Sequence, residues 1–296
     1  MQSDLDLLHI TSDPASDEAD KGSDGTWCFT VDGHLARIDG KLYGGSAIAA
    51  SIAVVEARTS RPVVWMTTQF VATADRGEVV TVGVEELAAG RSATQVRVTG
   101  SDSSGRVLFA SLGAAGDPVD GRPRGVFLEP PRVASFEDSE PWGGPIATMV
   151  RLHSPDITPP TVPGVGFMSL VEFTEPEVLH HPDDGPGRMV LWARRRDGGP
   201  MTAAVVAYIA DVVPLSVAVG LDIVSVGTSL DNTIRVDPAV RCDQVLLDLR
   251  PQAATGGCCY GEVHAWTPDG DLLGTASQTA ILRPLDPAVF GAGGRG

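Results

Sequence analysis

Basic residues are scarce in this chain: 22 Lys and Arg stand against 38 Asp and Glu among 296 residues, a formal net charge of −16. So acidic a surface repels a polyanion, which argues against nucleic acid as a partner but leaves room for a small phosphate-bearing ligand held locally by arginines. Cysteine is sparse as well. Cys28, Cys242, Cys258 and Cys259 show no zinc-type spacing, and with no signal peptide in view they are expected to be reduced thiols in a cytoplasm. The adjacent pair, if on a strand, points to opposite faces. No run approaches the roughly 18 apolar residues of a membrane span. A Gly-x-Ser-x-Gly elbow, a phosphate-binding loop of the Gly-Lys-Ser/Thr type and a dinucleotide fingerprint are all missing, so none of those chemistries is indicated.

What is present is an ordinary globular composition, 43% hydrophobic and 20% charged, which predicts a buried core along most of the chain. Two stretches read as one unit written twice. The first runs from Leu42-Tyr43-Gly44-Gly45-Ser46 to Phe109-Ala110-Ser111-Leu112, and the second from Met201-Thr202-Ala203-Ala204 to Thr275-Ala276-Ser277-Gln278. A repeat of about 110 to 130 residues suits a domain, so two domains are expected.

The first unit predicts a strand over 27–31, a helix over 43–56 after the Gly44-Gly45 turn, and strands over 63–71, 79–86, 93–99 and 107–112 separated by hairpin signals. The second predicts strands near 165–173 and 188–195, a helix from about Met201, and strands near 223–236, 244–249, 258–267 and 272–282. One helix lying on an antiparallel sheet, twice over, is an α+β architecture. The expected divisions are a frayed acidic lead-in (1–22), a first unit (23–115), a Pro/Gly-rich linker (116–163), a second unit (164–286) and a flexible tail (287–296).

Only the second unit places polar residues on apolar faces. Asp211 continues the helical stripe of Ala204, Ala207 and Tyr208, where an unpaired carboxylate is expensive and is usually capped, paired or used. The plain alternative is that Asp211 caps a further helical turn containing Pro214. Gln278 shares a strand face with Leu272, Gly274, Ala276, Ala280 and Leu282, so something polar should lie opposite it. The segment Gly227-Thr228-Ser229-Leu230-Asp231-Asn232-Thr233 is polar for a strand beside a core, which suggests a bulge or cleft. Alternation leaves Thr228 and Ser229 as competing hydroxyls. Arg194-Arg195-Arg196 reads as a solvated strand end, His180-His181 as loop residues without a third metal ligand, and Glu56 as the polar side of its helix.

Asp211, Ser229-Leu230-Asp231 and Ser277-Gln278, in that order after Tyr43-Gly44-Gly45, resemble the thioesterase II family of acyl-CoA thioesterases. The likeness extends from about Gly25 to Arg283. It implies a double hotdog, two tandem units each wrapping an antiparallel sheet on a long helix, and hydrolysis of a fatty acyl-CoA to the free acid and coenzyme A. Carried over by motif, Asp211, Ser229 and Gln278 bind and activate the attacking water, and no cofactor or metal is needed. Gly44 and Gly45, with Tyr208 and Thr228, are expected to contact substrate, the glycines by backbone N–H groups at a helix start. Leu112, at the place matching Gln278, leaves the first unit without the constellation. The chain departs from the family pattern at Ser46, Asn232 and Arg235-Val236-Asp237. An enoyl-CoA hydratase is disfavoured because the second helix lacks histidine, whereas a non-catalytic acyl-CoA or lipid binder is the main alternative. A single chain contains the pair of hotdogs that a site requires, and association into a homodimer or homotetramer is compatible with that.

Overall fold

Residues 3–12, 26–119, 121, 123–153, 166–176 and 187–285 are described in the structure, a computed structural model. Its first unit comprises β2 (Thr26–Thr30), α2 (Gly44–Thr59), β3 (Val63–Phe70), β4 (Val79–Ala89), β5 (Thr94–Ser101) and β6 (Val107–Ala115). The second comprises β9 (Met189–Arg195), α4 (Ala203–Ala210), α5 (Val213–Gly220), β10 (Ser225–Val236), β11 (Gln244–Thr255), β12 (Cys258–Trp266) and β13 (Leu272–Pro284). Short peripheral elements complete the set: α1 (Asp4–Leu7), β1 (Thr11–Ser12), β7 (Glu140–Pro141), α3 (Gly144–His153) and β8 (Val171–Glu175). All strands join one antiparallel sheet in the order β1-β2-β4-β5-β6-β3-β10-β13-β12-β11-β9-β8-β7. The units meet where β3 pairs β10, with Thr68 opposite Asn232. This is the double hotdog, and the alternating strands of each unit bury one face against its helix.

Helix α2 is buried from Gly45 through Val55, because the sheet covers one side and α4 packs on the other. A helix enclosed all round needs apolar residues all round, which is what the Ala- and Ile-rich run supplies. The second helix is not continuous. Pro214 lacks an N–H and its ring would strike the carbonyl four residues back, so α4 stops at Ala210 and α5 begins at Val213 with the proline in its first turn. Val212, not Asp211, is the N-cap of α5, and no side chain caps it. The capping explanation for Asp211 therefore fails.

Other expectations need correcting. Residues 3–12 are ordered within the lead-in: a Ser3–Asp6 capping box starts α1, and Leu7, Leu8 and Ile10 are buried in the core. The rest of the lead-in, His180-His181 and the tail lie outside the described residues. Part of the 116–163 connection is structured, since β7 pairs β8 and α3 buries Ala147, Met149 and Val150. Ala203–Gly220 is long and apolar enough to cross a bilayer by composition, contrary to the reading of the sequence, yet most of it is buried in the core. Glu56 faces inward enough to accept the Val63 N–H at 2.8 Å. Arg195 is buried and paired with Asp197, and Arg194 binds Glu172 and stacks over Phe136, so of the three arginines only Arg196 is exposed at the strand end as expected.

Bulges give the exact register of the repeat. The turns at Asp102–Arg106 and Thr267–Asp271 share their backbone bonds and a left-handed glycine, Gly105 or Gly270. Each is followed by one extra residue, Leu108 in β6 and Leu273 in β13. Likewise Val64 in β3 and Leu230 in β10 are extra residues against the paired strand. On this register Val63 corresponds to Ser229, Met66 to Asn232 and Gly113 to Gln278, and counting from the N-caps Tyr43 and Thr202 matches Ile52 to Asp211. Leu112 is thus not the counterpart of Gln278; it is 46% exposed on the other face.

Candidate active site

The break after α4 presents Asp211 to the sheet and to the start of α2 at once. Gly44 and Gly45 allow that approach. A Cβ on Gly44 would lie 2.5 Å from Asp211 Oδ2, and one on Gly45 would lie 2.2 Å from the Tyr208 carbonyl oxygen. No other residue fits without displacing one helix from the other. The Gly45 N–H favours the charged form of the Asp211 carboxylate, and the Tyr43 hydroxyl donates to the Asp211 carbonyl at 3.4 Å.

Gln278 reaches the same carboxylate from β13. Its Nε2 donates to Asp211 Oδ1 and, at 2.8 Å, to Ser229 Oγ. Ser229 can meet it because Leu230 is the bulged residue, which lets Ser229 face inward while Leu230 turns out. Asp231 secures the bulge by accepting the Thr279 N–H at 2.7 Å. Of the two hydroxyls, Ser229 joins Asp211 and Gln278, whereas Thr228 Oγ1 accepts from the exposed Arg283 at 2.7 Å. Tyr208 stands apart from this trio, its hydroxyl donating to the His34 carbonyl at 2.6 Å. Ser46 likewise turns away, to the Leu35 carbonyl.

Two further residues bear on the carboxylate. Asn232, fully buried and directly across from Gln278 on β10, donates from Nδ2 to Asp211 Oδ1 at 3.4 Å. Arg37 reaches from the loop before α2 to the Gly227 carbonyl at 3.4 Å and acts on Asp211 through its charge. The bulge hid Asn232 from simple alternation, because the face that is buried changes parity across Leu230; a polar residue two before the buried Ile234 was the available signal. Nothing in the local sequence marked Arg37.

Burial dominates the electrostatics. It pushes the Asp211 carboxyl up to about 7 from 3.8, against the pull of Asn232, the Gly45 N–H, Arg37 and Ser229. A carboxyl balanced near neutrality can both take and return a proton at ordinary pH, the property of a general base. Tyr43 is pushed well above 10 by burial and then by the neighbouring Asp211 charge, so it stays a neutral donor. Among the described residues no group of His, Cys, Asp and Glu is arranged to hold a metal. All four cysteines are free, and the neighbouring pair divides as alternation requires, Cys259 buried and Cys258 less so.

Comparison with known proteins agrees with this architecture half by half. Residues 31–113 match the profile of the acyl-CoA thioesterase N-terminal domain, and residues 140–282 match that of the C-terminal domain. The crystal structure of a candidate thioesterase from Novosphingobium aromaticivorans is 28% identical, with 89% of this chain and 97% of that one aligned at a TM-score of 0.73. An acyl-CoA thioesterase II from Mycobacterium marinum aligns over 96% and 99% at 16% identity and a TM-score of 0.69. A hot dog fold protein of unknown function from Alicyclobacillus acidocaldarius aligns over 96% and 98% at 17% identity and a TM-score of 0.73. No curated protein matches. With both halves of the architecture matched in order, the chain belongs to the acyl-CoA thioesterases.

Proposed function

We propose that hydrolysis of acyl-CoA, the activity of this family, is carried out here by water activated at Asp211, Ser229 and Gln278, with a fatty acyl-CoA as substrate. The observation that supports this most is the single amide of Gln278 bonded to both Asp211 and Ser229 beside the first turn of α2. Asp211 takes a proton from the water as its oxygen attacks the thioester carbonyl. Ser229 and Gln278 orient that water. The tetrahedral intermediate then expels the coenzyme A thiolate, which recovers the proton from Asp211, giving free acid and thiol. General-base assistance of this kind is worth about 10² to 10⁴ in rate.

The Gly44 N–H at the positive end of α2 is the backbone donor we assign to the developing oxyanion, a contribution on the order of 3 kcal/mol. No cofactor enters the scheme. Both units supply groups to one site, so a single chain suffices for the chemistry and association into dimers or tetramers is not required by it. Free thiols fit a reducing cytoplasm.

Release of free thiol from short, medium and long acyl-CoAs tests the scheme, with Asp211→Asn and Gln278→Ala as variants. Turnover by the native protein that both substitutions abolish, with folding intact, supports it. Binding of acyl-CoA without release by the native protein favours the lipid-binding alternative.

A further inference from the structure

Asn232 is the buried polar residue that the three-residue scheme leaves without a task. It is 0% exposed, in the strand that joins the two units, and lies across from Gln278. Its Nδ2 and Gln278 Nε2 converge on the same oxygen, Asp211 Oδ1. The remaining amide oxygens, Asn232 Oδ1 and Gln278 Oε1, have no protein partner. Burying an amide with half its capacity unmet costs free energy. The corresponding residue of the first unit, Met66, is fully buried without such a cost. A polar side chain retained at this position therefore has to offset a loss that an apolar one would avoid.

We propose that Asn232 is a positioning residue of the hydrolytic site: its amide fixes Asp211 Oδ1 from the sheet side and so keeps the carboxylate turned towards Gln278 and Ser229. The inference rests on the proposed role of Asp211 and adds a fourth residue to it. Geometry makes the hold two-sided. The α2 start limits movement of Oδ2 past Gly44, and the two amides engage the other oxygen.

A donor in that position also favours the ionised carboxylate, in competition with burial. The groups that face Asp211 are Arg37 from the loop before α2, Tyr43 and Gly45 at the helix start, Ser229 and Asn232 on β10, and Gln278 on β13. Of these only Arg37 is charged at neutral pH; Asp231 is turned to the Thr279 N–H. Among the groups named, none on the sheet side is a cation that could replace the Asn232 donor.

The test is a titration of the Asp211 carboxyl by carbon NMR in the full-length protein, native and Asn232→Leu, together with the pH dependence of kcat/KM on an acyl-CoA. Asn232→Leu should raise the titration midpoint by about one to two pH units and move the acid limb of kcat/KM by the same amount, with KM little changed. Asn232→His, which restores a donor, should return the carboxyl midpoint towards the native one. If Asn232→Leu does not fold, Asn232→Ser carries the same expectation of a raised midpoint. A folded Leu or Ser variant with the native midpoint and acid limb overturns the proposal and leaves Asn232 a core residue. Absence of thiol release from the native protein would defeat the catalytic scheme separately, while the carboxyl titration would still decide whether Asn232 holds Asp211.

Discussion

The two hotdog units share strand order, hairpin and bulges, yet they fill one location in opposite ways. Where the second unit has Asp211, Ser229, Asn232 and Gln278, the first has Ile52, Val63, Met66 and Gly113. Ile52, Val63 and Met66 are all 0% exposed, and a Cβ on Gly113 would come within 2.8 Å of Met66 Sδ, so the methionine fills the space that the glutamine takes in the other half. The fold thus needs neither the carboxylate nor the amides. Their presence costs stability, because the buried Asp211 holds its proton far above the usual carboxylate range. The difference teaches that the architecture does not require the polar cluster, which under the proposed scheme serves chemistry, and that the bulge at Leu230 is common to both units while only the second sets a polar cluster beside it.

The comparison breaks most visibly at Asp211. Asp211→Asn should lower kcat/KM by about 10² to 10⁴, read by thiol release. It should also stabilise the fold in alkaline conditions. The folded carboxyl has a raised pKa, so the stability it contributes is full below 3.8 and is lost as pH rises through about 7. At about 1.4 kcal/mol per pKa unit, the native protein forgoes on the order of 4 kcal/mol at pH 8 that the asparagine variant keeps; denaturation at pH 5 and pH 8 checks the sign. For the same reason native kcat/KM should rise through pH 7 to a plateau.

Converting the site to its counterpart sharpens the comparison further. A protein carrying Asp211→Ile, Ser229→Val, Asn232→Met and Gln278→Gly should fold with a melting temperature at or above native and release no thiol. Separating the two hydroxyls is a smaller effect: Ser229→Ala should reduce kcat/KM by one to two orders of magnitude, on the scale of one lost water-orienting bond, and Thr228→Ala should leave it within a few-fold. Gly45→Ala, read on stability, should destabilise the fold by about 1 to 3 kcal/mol through overpacking against Tyr208, measured by chemical denaturation.

Much of this was legible in the sequence where a local signal and a face-by-face count agreed. The strands of both units, the glycine turn before α2, the bulge near Ser229 and the isolation of Asp211 and Gln278 on apolar faces all follow from periodicity and turn chemistry. Asp211 and Gln278 were visible as misplaced polar residues; that they meet each other depends on a strand and a helix far apart in the chain, which only the resemblance supplied. The counterpart of Gln278 was misassigned to Leu112 because a bulge shifts faces by one residue without changing composition. The break between α4 and α5 was underestimated for a related reason, since a proline in a first turn is compatible with either a continuing cap or a fresh helix. Helix α3 and the ordered residues of α1 lie in stretches whose Pro, Gly and acidic content masks short apolar contacts.

The most direct test places the same change in both units: Asp211→Asn and Ile52→Asn, each assayed for thiol release from the best acyl-CoA alongside the native protein. The account predicts that Asp211→Asn loses at least 10² in kcat/KM while a folded Ile52→Asn keeps near-native kcat/KM despite lower stability. Activity that survives Asp211→Asn, or is lost from a folded Ile52→Asn variant, would contradict the assignment of the chemistry to the second unit.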